Sequence, residues 1–183
     1  DLFEQLSGAR LFYNYIWPGG VAHDLPPNFI KNTEEFLNYF EPQIVEYNNL
    51  LTTNKIFIER AADVGIIPAD VGINFGVSGP SLRASGVDYD LRKTEPYSIY
   101  DKFDFDIPIG KGEMGSVGDC WDRYWVRVKE MEESIKILRQ ALKSIPDGDV
   151  HEAIPKKIRP NKGEVYSRYE SARGDIGFYL RSD

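Results

Sequence analysis

The stretch from Ser78 to Pro108, SGPSLRASGVDYDLRKTEPYSIYDKFDFDIP, constrains this chain most, because it holds neither the helical nor the strand period over any useful length. Gly79, Pro80, Gly86 and Pro96 stand close together in it, so the backbone must adopt angles that other residues resist. Arg83, Arg92 and Lys93 alternate with Asp88, Asp90, Asp101, Asp104 and Asp106, and the rings of Tyr89, Tyr97, Tyr100, Phe103 and Phe105 lie among them. Long segments without secondary structure are uncommon inside compact domains, and are usually functional or disordered. So many rings are poor material for a solvated tail. The expectation is an ordered loop, pinned by aromatic anchors and by Arg–carboxylate pairs whose planar fork fixes orientation.

The flanks of this loop read as helix. Leu2, Phe3, Leu6, Ala9, Phe12, Tyr13 and Ile16 fall near helical spacing, which predicts an amphipathic helix over 2–16, stopped by Pro18-Gly19-Gly20. Asn28 is the expected N-cap of a second helix reaching about Thr52, with Pro42 placed to kink or split it. Shorter helical pieces are expected at 55–62 and 70–77, and a Gly-rich connector at 110–118. The clearest helix runs from Asp119 to about Ile145. Its stripe of Trp121, Tyr124, Trp125, Val128, Met131 and Ile135 reads as core or a partner-helix seam rather than a cofactor box. Asp119 suits its N-cap or first turn, and Lys129–Glu133 and Glu132–Lys136 are candidate i,i+4 pairs. A Pro- and Lys-rich surface loop follows over 151–162. Two alternating segments around Ala172-Arg173-Gly174-Asp175 then close the chain as a β-hairpin. The fold class is therefore mainly α with a small β-hairpin. The parts are a helical core at 1–77, the ion-paired loop at 78–118, a long helix at 119–145 and a hairpin at 163–183.

Charge and cysteine usage exclude several functions. The net charge of −7 argues against a general nucleic-acid binder, and the aspartates interleaved with Arg83 and Arg92 would repel phosphate. Cys120 is the lone cysteine, so no internal disulfide and no metal site built from several thiolates of this chain can form. No apolar run approaches the roughly 20 residues of a spanning helix, so no transmembrane segment is expected. No Walker loop, GxGxxG fingerprint or HExxH pair occurs. His23 beside Asp24 offers an imidazole–carboxylate pair, and Cys120 at a helix start is either an activated thiol or an inert packed one. The chain opens at Asp1 inside an apparent helix and stops just after a strand, which suggests an internal fragment.

The run GPSLRASG at Gly79–Gly86, the DLRK at Asp90–Lys93, the PY at Pro96–Tyr97, the YDKFDFDIP at Tyr100–Pro108 and the GDCWDRY at Gly118–Tyr124 together resemble the D subunit of the proton-translocating NADH–quinone oxidoreductases, respiratory complex I. Gly8-Ala9-Arg10, Pro18-Gly19-Gly20-Val21, Asp24-Leu25-Pro26 and the closing hairpin extend the resemblance over nearly the whole chain. That family is related to the large subunit of nickel–iron hydrogenases, which implies a helical bundle of that type, here truncated at both ends.

The resemblance further implies electron transfer from NADH, bound elsewhere in the complex, through iron–sulfur clusters to quinone, coupled to proton translocation. The quinone site is shared with the subunit that carries the terminal cluster, and the complex I subunits are the partners. The location implied is peripheral, on the cytoplasmic side of the bacterial inner membrane. No catalytic or metal-binding residue is expected in this chain, because the family's headgroup-binding His and Tyr precede Asp1. By resemblance, Arg10, Phe12 and Asp24 lie near the terminal cluster and the quinone cavity. Arg83, Asp88, Asp90, Arg92, Asp119 and Arg123 are expected to form the structural ion-pair loop and subunit interface.

Leu11-Phe12 stands where most relatives carry Met-His, and Trp17 where relatives commonly carry Arg; Phe12 cannot take up a proton. A large subunit of an energy-converting nickel–iron hydrogenase and a non-catalytic helical interaction domain are the alternative readings.

Overall fold

A computed structural model describes all of residues 1–183. The chain is mainly helical with two small antiparallel hairpins. Its elements are α1 (Leu2–Ser7), β1 (Ile16–Trp17), β2 (Gly20–Val21), α2 (Phe29–Tyr47), α3 (Lys55–Ala61), α4 (Ala69–Asn74), α5 (Gly79–Ala84), α6 (Leu91–Thr94), α7 (Cys120–Lys143), β3 (Gly163–Ser171) and β4 (Gly174–Ser182). A π-turn at Asn48–Thr52 continues α2, and a 3₁₀ turn occupies Tyr100–Lys102.

The core lies between α2 and α7. Leu37 and Ile44 pack against Val128 and Ile135, with Phe40, Tyr124, Met131 and Leu142 at the margin. These positions repeat at three, four and seven, so each helix turns one apolar stripe toward the other. The helices run antiparallel: Arg139 reaches Glu41 and Asn38, while Thr52, beyond the far end of α2, meets Tyr124 and Trp121. Pro42 does not split α2, which continues through it. Pro42 and Asn38, whose carbonyl loses its i+4 donor, are both exposed, so water can satisfy the freed oxygen. Asn28 precedes α2 in a left-handed conformation, φ 63°, and its side chain makes no capping bond.

Three expectations change here. The helix foreseen over 2–16 ends at Ser7, where Gly8 takes φ 74° and its N–H closes on the Glu4 carbonyl. The apolar spacing beyond it serves no helix, because Phe12 sits at φ 56° and Ile16 enters the β1–β2 ladder. The stretch 78–118 is not irregular throughout. α5, with Pro80 in its first turn, and α6, capped by the Asp90 carboxylate, are too short to leave a readable period. On α7 the ion pairs form at i,i+3, as Lys129–Glu132 and Glu133–Lys136, not at the i,i+4 spacing.

The β3–β4 hairpin has uninterrupted antiparallel register from Gly163↔Ser182 to Ser171↔Gly174. Its turn end seats against α5, where Gly79 at φ 65° and Gly174 at φ 134° let two backbones meet; a Cβ on either would collide with the other segment. The accessible surface is 12756 Å², whereas a compact monomer of this mass exposes about 9,000 Å². The excess matches a small buried core and many exposed large apolar side chains, among them Phe12, Ile16, Phe75 and Leu180.

Candidate functional site

One guanidinium joins four parts of the chain. Arg83, on α5, is 1% exposed. Its Nε and Nη2 donate to Glu130 Oε1 on α7 at 3.0 and 2.5 Å. Its Nη1 donates to Glu170 Oε1 on β3 at 2.9 Å and to the Tyr89 carbonyl at 3.1 Å, and lies 3.1 Å from Asp90 Oδ2. Asp90 is also the α6 cap, accepting from the Arg92 N–H at 2.9 Å, and Arg92 grips the same carboxylate with Nε at 2.9 Å and Nη2 at 2.6 Å. Rings close the other side. The Arg92 guanidinium lies 5.1 Å from the Phe105 centroid and 5.9 Å from that of Tyr100, and Lys93 Nζ lies 4.0 Å from Phe105. Tyr97 ties the loop to β3, its hydroxyl donating to the Glu170 carbonyl and accepting from the Glu170 N–H.

Three carboxylates therefore face two guanidiniums in a largely dry node. Burial opposes the charge on Arg83, but Glu130, then Glu170 and Asp90, outweigh it and raise its pKa. Burial likewise works against Asp90, and is overcome by Arg92 and Arg83, so that carboxyl titrates below its ordinary range. Glu170 goes the other way: burial, with Asp90 as a like charge beside it, raises its pKa despite Arg83. Both partners of the Arg83–Glu170 pair shift upward, Glu170 through burial first and Arg83 through its three carboxylate neighbours. An open cavity of about 530 Å³ lies against the node, lined among others by Arg83, Arg92, Tyr100, Tyr124, Arg127 and Glu130.

A second node sits at the start of α7. Asp119 caps the helix through the Asp122 N–H at 2.8 Å, and also accepts from Ser116 N–H and Asp63 N–H at 3.2 and 2.9 Å. Asp122 is fully buried; its Oδ2 accepts from Gly112 N–H and Gly118 N–H, while its Oδ1 has no partner. Burial raises its pKa, and Asp119 and Glu113 push the same way. Arg123 donates to the Gly118 and Gly65 carbonyls at 2.5 and 2.8 Å and to Cys120 Sγ at 3.0 Å. Asp119 and Arg123 are thus backbone clamps rather than members of the foreseen ion-pair set. Asp88 is exposed, makes no ion pair, and lies outside the node although Asp90 is two residues away. Glu130 and Glu170, which complete the node, were not foreseen; nothing in the order of residues separates them from the other carboxylates of α7 and β3.

A model of the family described as "Respiratory-chain NADH dehydrogenase, 49 Kd subunit" matches residues 1–162. The chain belongs to this family. The NADH-quinone oxidoreductase D subunits of Pelodictyon phaeoclathratiforme and Chlorobaculum parvum are each 52% identical to it, over 100% of this chain and 46% of their own length. A D subunit of Cytophaga hutchinsonii is 46% identical over 99% of this chain and 48% of its own. The chain thus spans about half the length of the curated relatives it matches.

In this 49 Kd-family chain the residues of the N-terminal segment stand apart from the buried nodes. Arg10 is 85% exposed and pairs with Glu4 at 3.0 Å. Phe12 is 95% exposed. Asp24 accepts from the Leu25 N–H at 2.7 Å and lines a different cavity, of about 560 Å³, between the start of α2 and Ile145–Val150. Asp24 makes no pair with His23; the His23 carbonyl instead accepts from the Tyr15 hydroxyl at 2.7 Å. The residues present do not fit an iron–sulfur cluster, which needs several thiolates, since Cys120 is the lone thiol and no group of three His, Cys, Asp or Glu side chains is arranged to hold a metal ion. No helix is long and apolar enough to cross a membrane.

Proposed function

We propose that this chain is a section of the quinone-binding D subunit of a proton-translocating NADH–quinone oxidoreductase, where it serves as scaffold and as one wall of the quinone cavity. The observation that carries the reading is the end-to-end similarity to the D subunits of such enzymes at about half identity. That same similarity favours quinone chemistry over the hydrogenase alternative. The buried Arg83 node supplies the physical role. By tying α5, α6, α7 and β3 together it holds the 78–118 segment in one shape, as a wall must be held.

In this reading electrons from NADH reach quinone through clusters held by neighbouring subunits, and the terminal-cluster subunit is the principal partner. The residues here do not fit such a cluster, so the clusters of this reading are assigned to the neighbouring subunits. The exposed Arg10, Phe12 and Asp24 face that partner and the cavity, and Phe12 removes a titratable group from this place. The complex sits peripherally on the cytoplasmic side of the bacterial inner membrane.

The test is Arg83→Ala in the complete subunit within the assembled complex. Quinone reduction by NADH should fall by at least about tenfold, while NADH oxidation by a water-soluble acceptor that bypasses the quinone site stays unchanged. Wild-type quinone reduction in a correctly assembled variant complex would defeat the cavity-wall reading.

A further inference from the structure

The β3–β4 hairpin is turned inside out relative to an ordinary surface hairpin. Directly opposed residues in an antiparallel ladder share a face. Val165↔Leu180, Ser167↔Phe178 and Tyr169↔Ile176 therefore make one face, and Tyr169 and Phe178 stack on it at 6.2 Å. The other face carries Arg168, Glu170 and Asp175 and is the one held by the body. Glu170 goes to Arg83, Arg168 to Glu95, and Asp175 to the Tyr89 hydroxyl. The polar face is docked and the apolar face is bare, with Leu180 65% and Phe178 57% exposed. Beyond the docked turn end, Tyr166 and Tyr179 are exposed on the second face as well.

A two-stranded hairpin is at best marginally stable in water without a third strand or a packed cover. Both of its outer edges are unpaired, which invites a further strand. From this arrangement we infer that the apolar face of the β3–β4 hairpin is an internal interface, covered by the part of the same subunit's polypeptide that lies outside residues 1–183. One observation and one physical argument select that occupant over a neighbouring subunit. More than half of each relative's length lies outside the match, so ample chain is available in cis. A polypeptide that folds as a unit before assembly also needs the cover of a marginal hairpin within its own chain. The excess of accessible surface over a compact monomer agrees with extensive cover.

The inference rests on reading the chain as a section of the D subunit, and its test uses a readout independent of quinone reduction. In the intact complex, Phe178→p-benzoylphenylalanine and Leu180→p-benzoylphenylalanine place a photo-crosslinker on the bare face. Irradiation should yield adducts confined to this one polypeptide, mapped to peptides outside residues 1–183. Adducts joining it to a neighbouring subunit, or no adduct above that of an exposed control at Asp88, overturn the inference. As a second measurement, amides of Val165 and Leu180 in the complete subunit should exchange about a hundredfold slower than an open strand. Protection that appears only on assembly with other subunits, or that fades on dilution as a second copy would cause, also overturns it. Wild-type quinone reduction by the assembled Arg83→Ala complex, with the internal adducts intact, would count against the proposed function alone.

Discussion

Arg83 and Arg10 are the same residue placed in opposite circumstances. Arg83 is buried, spends its donors on three carboxylates and a carbonyl, and links elements far apart in the chain. Arg10 is solvated, and its guanidinium pairs with Glu4, six residues away. Around Arg83 the rings of Tyr97, Tyr100 and Phe105 turn inward, whereas around Arg10 Leu11, Phe12 and Ile16 face solvent. The first region is complete within this chain, and the second presents apolar and charged groups with nothing of this chain upon them. Removing charge should therefore damage the first region through stability and the second only through what it touches.

The largest expected effect tests that contrast directly. Arg83→Ala leaves Asp90, Glu130 and Glu170 without their shared cation, and should cost about 3–5 kcal/mol in denaturant unfolding. Arg83→Lys should recover only part, since an ammonium cannot fork to three partners. A loss under about 1 kcal/mol for Arg83→Ala would mean the node is no more than a surface pair. Next in size is the pair Asp90→Asn and Asp88→Asn. The first removes the charge that Arg83 and Arg92 share and should cost about 1–3 kcal/mol. The second should stay within about 0.5 kcal/mol, because Asp88 is solvated.

The pH response separates two of the buried carboxyls, Asp90 and Asp122. Asp90 has a folded pKa below its unfolded one, so its contribution is present above the ordinary carboxylate range and disappears as pH falls through the lowered value. Asp122 has a raised pKa, so its contribution is present below the ordinary range and is lost as pH rises through the raised value. Asp122→Asn should accordingly flatten the decline of stability on the alkaline side of the carboxylate range, measured by unfolding midpoints across pH. An unchanged slope would show that Asp122 is ionised in the fold.

The smallest structural effect is expected at Phe12. Phe12→His should change stability by less than about 0.5 kcal/mol, yet introduce a pH dependence near neutrality in the potential of the terminal cluster of the assembled complex. A cluster potential equally independent of pH in both proteins would defeat the proposal that Phe12 lies near the terminal cluster.

Residue order made some of this visible and hid the rest. The 24-residue α7 was legible because an apolar stripe at steps of three and four persists over many turns, and Asp119 marks its start. The hairpin was legible from alternation around a Gly-containing turn, and the resemblance to the complex I family from motif runs spread along the chain. The helix foreseen over 2–16 was a false period. Spacing records which residues could share a face, but Gly8 in the left-handed conformation ended the helix before that face existed. Within 78–118 the rings and arginines announced order, but not α5 or α6, since six- and four-residue helices hold less than two turns.

What the sequence alone determined is the character of the organising segment: arginines, aspartates and rings too dense to stay solvated, set before one long amphipathic helix. Only the tertiary structure decided which carboxylates Arg83 meets, that Asp88 is left in water while Asp90 is buried, and that the hairpin docks by its polar face. The reason is distance along the chain. Glu130 and Glu170 lie 47 and 87 residues from Arg83, and a guanidinium selects among carboxylates by which ones packing brings within about 3 Å, a condition that exists only after the helices and the hairpin have assembled.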